Sequence, residues 1–332
     1  MKESPKVSII MLAYNIDAYI ETAIRSVLQQ KTTYNIQLVI AEDCSSDNTL
    51  NICRKYKQLY PDQITLVEHT KNVGLQQNFI DAHSHCQGEY IAICDGDDYW
   101  IYKKKLQCMT DFMDKHPEYS ICFHRVINYY EANHTKSLSN SGQKSITTIH
   151  DLACSNYITN SSSLFRRTYY PEVPQWFSQI TSCDYAMHML NARFGPIYYF
   201  KRPMAVYRKH GTGIWSEVNR QKRFNMGITV REYLINYFRE QDPQVYELLR
   251  NTHTRFSLNE LYHCREAGLT DAAEKTEKRL LALRPEWDHN EVEKQLEALR
   301  PKRRAEYKQK LFGLLKKARA FCSYFIPLPH IR

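Results

Sequence analysis

The feature of this 332-residue chain that most limits its fold is a rhythm: over the first hundred residues, short β-rich runs alternate with segments of helical period. Val7 to Leu12 reads as a strand, and Ile20, Ile24, Val27 and Leu28 mark one face of a helix. The rhythm repeats as a strand over Ile36 to Ile40, a helix over 47–60, a strand over Ile64 to Val67, a helix over 74–86 and a strand over Tyr90 to Cys94. Such an alternation predicts an α/β fold, a mostly parallel central sheet covered on both faces by crossover helices. In sheets of this kind ligands bind beyond the carboxyl ends of the strands. Each apolar run here stops at polar chemistry: Tyr14-Asn15, Glu42-Asp43, His69 to Asn72, and Asp95-Gly96-Asp97-Asp98.

The last of these turns sets three carboxylates within four residues, with a glycine expected to let the backbone bend so that they converge. Hard divalent cations, Mn²⁺ or Mg²⁺, take oxygen ligands of this kind, and Mg²⁺ is commonly held by one or two carboxylates together with substrate phosphates. A solvated acidic turn capping the next helix is the plainer alternative; the place of the cluster, directly after a buried strand, favours metal and phosphate. In Glu42-Asp43-Cys44-Ser45-Ser46-Asp47, Ser46 or Asp47 is suited to capping the following helix. Asp43, nearer the strand end, is suited to accept a hydrogen bond from the N–H of a pyrimidine base.

Val7 to Asn15, Val39 to Thr49, Asn72-Val73-Gly74 with Asn78, and Asp95 to Asp98 stand in an order and spacing that resembles family-2 glycosyltransferases of the GT-A fold. The likeness is densest over residues 5–130, looser to about 216, and absent from the rest. It implies a nucleotide-sugar donor, commonly a uridine one, held by Ala13, Tyr14, Asn15, Asp43, Asn72 and Asn78, with Asp95 near the ribose and diphosphate and Asp97 on the metal. The chain carries Glu42 and Cys44 where Asp and Gly are frequent in that family.

The acceptor half, about 131–218, offers few acids able to take a proton from an attacking hydroxyl: Asp151, Glu172, Asp184 and Glu217. Asp184 opens a helix-period segment through Tyr185, Met187, Met189 and Leu190, where it could simply cap the helix; the resemblance of Ser182 to Tyr185 to the family's acidic motif supports it as the catalytic base, with Cys183 in place of an acid often found there. In the run Tyr207 to Ser216, Arg208 and Lys209 could neutralise a leaving diphosphate and His210 could complete a metal shell. Ser161 and Ser162 in the run Asn160 to Arg167, together with Trp215, are candidates for binding acceptor sugar hydroxyls or rings, and Trp176 is a weaker one.

Net charge is +9, yet residues 301–332 hold nine Lys or Arg against Glu306 alone, so the first 300 nearly balance. That distribution argues against a nucleic-acid-binding surface and for an anionic partner of the tail. Leu311, Leu314, Leu315, Ala318, Cys322 and Phe325 fall on one side of a helical projection, the pattern of a basic amphipathic helix on a membrane surface, with a helix docked on the protein as the even alternative. No apolar run reaches the roughly 20 residues of a membrane span. The amino-terminal sequence lacks the pattern of a secretory signal, so the expectation is a cytoplasmic protein, peripheral to the inner face of the membrane if the tail binds there. The ten cysteines form no C-x-x-C pair and read as reduced thiols without structural zinc. The domain expectation is a catalytic domain over 1–218 and a helical region over 219–332.

The expected activity is metal-dependent, inverting transfer of a sugar from a nucleoside diphosphate donor, first of all UDP, to a hydroxyl of a glycan or lipid-linked glycan. A sugar nucleotidyltransferase is the rival enzyme class, but Leu12 to Asn15 stands where its glycine-rich phosphate loop would be. A helical adaptor carrying an inactive transferase-like domain is the non-enzymatic alternative.

Overall fold

The structure, a computed structural model, describes residues 4–169, 172–180, 182–211 and 219–299. Strands β1 (Val7–Ala13), β2 (Ile36–Glu42), β3 (Ile64–Glu68) and β4 (Tyr90–Ile93) alternate with helices α1 (Asp17–Leu28), α2 (Thr49–Leu59) and α3 (Leu75–Ser84). They continue with β5 (Tyr99–Trp100), α4 (Lys105–Lys115), β6 (Ile121–Tyr130), β7 (Thr135–Leu138), β8 (Ile146–Thr147), α5 (Ile149–Cys154), β9 (Leu164–Arg166), α6 (Cys183–Asn191) and β10 (Ile197–Lys209). The helices α7 (Arg220–Gln241), α8 (Pro243–Glu266) and α9 (Thr270–Leu283) follow, and residues 289–299 are again helical.

The sheet runs β3-β2-β1-β4-β9-β6-β10-β5, with β7 on β6 and β8 on β10. Its first four strands pair in parallel, β1 lying between β2 and β4 with Val7 opposite both Ile36 and Tyr90. Beyond β4 the pairing is mixed: β9 is antiparallel to both neighbours, and β10 is parallel to β6. The parallel half follows from composition. Every residue of β2 is buried and β1 is nearly so, as a strand covered on both faces must be. Helix α1 seals one face with Ile20, Ala23, Ile24 and Val27, the spacing of one helical stripe.

The polar stretch 133–147 contains β7 and β8, both short strands paired on longer ones. All four residues of β7 are exposed, so its pairing with β6 leaves no apolar trace in the sequence. The glycine of the acidic turn acts differently from expectation. Gly96 is not left-handed; a Cβ there would lie 2.7 Å from the Leu12 carbonyl oxygen and 2.4 Å from Ile16 Cδ1. It is needed for the close approach of the turn to the end of β1.

The chain divides into two compact units, Met1–Thr252 and His253–Arg332. From 219 to 299 the described elements are helices, and α7 packs on α6 within the first unit. The second unit gathers Leu258, Leu261, Cys264, Ala273, Leu280, Val292 and Leu296 into its own core. There Arg265 pairs with Glu277 and Glu293. No described helix is long and apolar enough to cross a membrane. The basic tail lies outside the described residues, as do Trp215 and Glu217.

Candidate active site

A cavity of about 680 Å³ opens at the carboxyl ends of β1, β2 and β4 and is closed on its other sides by α6, the turn before β9 and the end of β10. The β1 end supplies Ala13 and the half-exposed Tyr14. Asp43, buried after β2, accepts hydrogen bonds from the backbone N–H groups of Val73 (2.7 Å) and Gly74 (3.0 Å). Gly74 holds φ +85° at the start of α3, a conformation open to glycine, and so lets that N–H reach the carboxylate. Asn72 and Asn78 line the same wall. The Asn78 amide donates to the Ala41 carbonyl (3.0 Å), which fixes the side chain and leaves its buried Oδ1 without a partner.

Asn15 departs from the arrangement expected of it. Its Oδ1 accepts from the backbone N–H (2.8 Å) and the hydroxyl (3.2 Å) of Ser46, and it does not line the cavity. It ties the loop after β1 to the loop after β2. Glu42 and Cys44 have a physical account of the same kind: the Glu42 carboxylate accepts from the N–H groups of Cys44 (3.1 Å) and Ser45 (2.9 Å), and Cys44 sits at φ +58°, where glycine would be less strained.

The three carboxylates after β4 have three different environments. Asp95 lines the cavity and accepts from Asn160 Nδ2 (3.1 Å) and Ser161 Oγ (3.1 Å); burial, with the Asp97 charge beside it, pushes its pKa up to about 7. Asp97 also lines the cavity and meets His210 Nε2 at 3.0 Å. That hydrogen bond raises the imidazole pKa, with burial opposing it. Asp98 is fully buried, accepts from the Arg208 backbone N–H (2.9 Å) and shares a hydrogen bond with the Ser161 hydroxyl, and its pKa is raised well above the usual range by burial and by its acidic neighbours. It is a structural joint that pins β10 and the turn before β9 to the acidic turn.

That joint also corrects the expectation for two serines. Ser161 and Ser162 are fully buried; Ser161 serves Asp95 and Asp98, and Ser162 donates to the Thr159 carbonyl (2.6 Å). Their hydroxyls are consumed inside the fold, and Thr159 and Asn160 face the cavity instead. Trp176 stacks on Tyr233 of α7 with ring centroids 5.7 Å apart, a packing role.

Asp184 lies in the first turn of α6 and lines the cavity, with the Ser182 hydroxyl hydrogen-bonded to its Oδ1; the helix lacks a side-chain cap, so the carboxylate is not spent on capping. Arg208 lines the cavity, donates to the Asp97 carbonyl (3.1 Å) and lies over the rings of Tyr19 and Tyr99. Lys209 is not among the lining residues. Its ammonium sits over the Tyr130 ring, because successive side chains of a strand point to opposite faces.

A carboxylate oxygen and an imidazole nitrogen 3.0 Å apart make a donor pair that fits a divalent cation such as Mn²⁺ or Mg²⁺. Among the described residues no group of three His, Cys, Asp or Glu side chains is arranged to enclose one. The pair therefore suits a cation shared with substrate phosphates rather than one caged by protein.

A parallel half ending in such a turn, with a mixed half closing the cavity, is the GT-A arrangement. The family model described as glycosyl transferase family 2 matches residues 8–183, and the chain belongs to that family. An uncharacterized protein of Mycobacterium tuberculosis strain H37Rv is 33% identical over 219 residues, 65% of this chain and 62% of that protein, so the match spans less than two thirds of the relative. Two solved structures share the fold at low identity. Staphylococcus aureus TarS 1–349, in complex with UDP-GlcNAc, has a TM-score of 0.55 at 17% identity, covering 82% of this chain and 90% of that one. The mannosyltransferase PcManGT of Pyrobaculum calidifontis, in complex with GDP-Man and Mn²⁺, has a TM-score of 0.57 at 17% identity, covering 96% and 85%.

Proposed function

We propose that the chain is a metal-dependent, inverting glycosyltransferase that moves a sugar from a nucleoside diphosphate donor, UDP first among them, to a hydroxyl of a glycan or lipid-linked glycan in cell-surface polysaccharide or glycolipid synthesis. The observation that carries this reading is that Asp95, Asp97 and His210 share one cavity with Asp184, an acid with no capping duty. The nucleotide wall, Ala13, Tyr14, Asp43, Asn72 and Asn78, holds the base and ribose, with the buried Asp43 carboxylate as acceptor for a base N–H. Asp97 and His210 would hold the cation, which supplies charge stabilisation to the departing diphosphate. Arg208 adds a fixed positive charge at the same place. Asp184 takes the proton of the acceptor hydroxyl as its oxygen bonds to the anomeric carbon, while the bond from that carbon to the phosphate oxygen breaks and the electron pair leaves with the diphosphate. One displacement with one base and no enzyme nucleophile inverts the anomeric centre.

The support from relatives is the family membership and the ligands of the structural neighbours, UDP-GlcNAc in TarS and GDP-Man with Mn²⁺ in PcManGT. The basic sequence of 301–332 supports peripheral attachment to an anionic membrane, where each basic residue contributes about 1 kcal/mol. Co-sedimentation with anionic liposomes at low salt should be lost in a chain ending at Pro301; equal binding by both would overturn that part. The main test incubates the full chain with UDP-, GDP- and dTDP-sugars and Mn²⁺ and scores nucleoside diphosphate release. Release from a UDP-sugar that stops with EDTA is expected. Undiminished release in EDTA would overturn the metal dependence, and nucleotide binding without release from any donor would favour the adaptor reading.

A further inference from the structure

The first turn of α1 reaches into the cation site without supplying a ligand to it. Tyr19 lies with its ring centroid 4.6 Å from that of His210, tilted by 41°. On the same ring sits the Arg208 guanidinium, 5.0 Å from the centroid and held from its other neighbour Tyr99 at 4.6 Å. The Tyr19 hydroxyl donates to Glu131 Oε2 at 2.9 Å, across 112 residues of sequence. Glu131 follows directly on β6, the strand whose parallel partner is β10, and β10 delivers both Arg208 and His210. One phenol therefore touches the imidazole, carries the guanidinium on its face and is anchored to the neighbouring strand end.

We propose that Tyr19, fixed by Glu131, is a positioning residue that holds His210 against Asp97 and Arg208 beside it, so that the end of β10 is set for a cation and a diphosphate before either arrives. The physical case rests on three independent contacts. Ring packing limits the rotation of His210, whose Nε2 must point at the Asp97 carboxylate. Attraction between the guanidinium and the ring faces of Tyr19 and Tyr99 restrains a side chain that is otherwise rich in rotamers. The hydroxyl bond to a carboxylate fixes the phenol itself, and bonds to ionised acceptors are stronger than neutral ones. Groups that orient a ligand without touching the metal commonly affect metal affinity by about 10–100-fold. The proposal rests on the glycosyltransferase reading only in assigning the cation site to Asp97 and His210.

The test is Mn²⁺ binding to the full chain in the presence of UDP, read by the electron paramagnetic resonance signal of the free ion, alongside the Mn²⁺ concentration giving half-maximal diphosphate release. Tyr19→Ala should weaken Mn²⁺ binding by about 10–100-fold. Tyr19→Phe, which keeps the ring, and Glu131→Gln, which weakens the anchor, should each weaken it by a smaller and similar factor. If Tyr19→Ala fails to fold, as judged by circular dichroism, the two conservative variants carry the test. Wild-type Mn²⁺ affinity in both would overturn the proposal, and so would equal affinity in a folded Tyr19→Ala. Failure of the wild-type chain to bind Mn²⁺ with UDP would instead overturn the metal site itself.

Discussion

The nucleotide half and the acceptor half of the first unit furnish one cavity by different routes. On the nucleotide side, residues at the ends of adjacent parallel strands bond to one another: Asn15 to Ser46, and Asp43 to Val73 and Gly74. Each partner is the next strand-end loop in space, and parallel strands bring such loops together by construction. On the acceptor side, Asn160, Asp184, Arg208 and His210 come from a turn, a helix and a strand end with no common local pattern. The acidic turn joins Asn160, Arg208 and His210. Asp95 bonds the Asn160 turn, Asp98 bonds the backbone of β10, and Asp97 meets His210. The lesson is that one half is organised by topology and the other by buried polar joints, and the two should fail differently.

The largest effect is expected at Asp97, which belongs to both halves. Asp97→Asn should remove the metal-dependent turnover, a loss of about 10³-fold on the several kcal/mol that a catalytic cation supplies, with the thermal unfolding midpoint near wild type. Near-wild-type turnover at saturating Mn²⁺ would break the assignment. Asp184→Asn comes next: turnover should fall by about 10²–10⁴-fold, as for loss of a general base, with UDP affinity by calorimetry little changed. An equal loss of UDP binding would move Asp184 from the acceptor side to the donor side.

A smaller effect separates topology from chemistry. Asn15→Ala deletes two hydrogen bonds between strand-end loops, and donor KM should rise by about fivefold, since each such bond is worth roughly 0.5–1.5 kcal/mol net, while kcat stays near wild type. A collapse of kcat would make Asn15 a participant in the chemistry.

Acid should act on one buried histidine in each half. His83 on α3 and His188 on α6 have their pKa values pushed down to about 4 by burial. The unfolded chain, with ordinary histidines near pH 6.5, binds protons that these buried rings refuse, so their contribution to stability is present above about pH 6.5 and is lost as pH falls toward 4. Asp95 and Asp98, whose pKa values burial raises, act in the opposite sense over the same window, so the histidine effect is read as a difference: the midpoint of His188→Gln should fall less than that of the wild type between about pH 6.5 and 4, and parallel curves would contradict a neutral buried imidazole. The smallest effect belongs to Lys209; Lys209→Met should leave donor KM within about twofold, because its ammonium lies on the Tyr130 ring and the residue does not line the cavity. A tenfold change would restore it to the diphosphate.

Much of this molecule was legible in the residues. The strands β1 to β4, the helices between them and the carboxyl-end turns follow from apolar runs with a period, because burial on both faces keeps β1, β2 and β4 largely apolar. The long strand β10 was harder to see, since Lys201, Arg202 and Pro203 interrupt it and it bulges there. The hairpin strand β7 had no signal, since all its residues face water.

At the site, the sequence determined which chemistries were present and where along the chain they stood: an acidic turn after a buried strand, an acid opening a helix, and cations with an imidazole near a glycine. It could not say which of three neighbouring aspartates faces substrate, that Ser161 is consumed by two of them, that Arg208 and Lys209 part company, or that Tyr19 braces His210. Those outcomes depend on side-chain direction and on contacts between residues as far apart as Tyr19 and Glu131. Periodicity is a local property of the chain, whereas the partner of a buried polar group is fixed only when the whole sheet has closed around it.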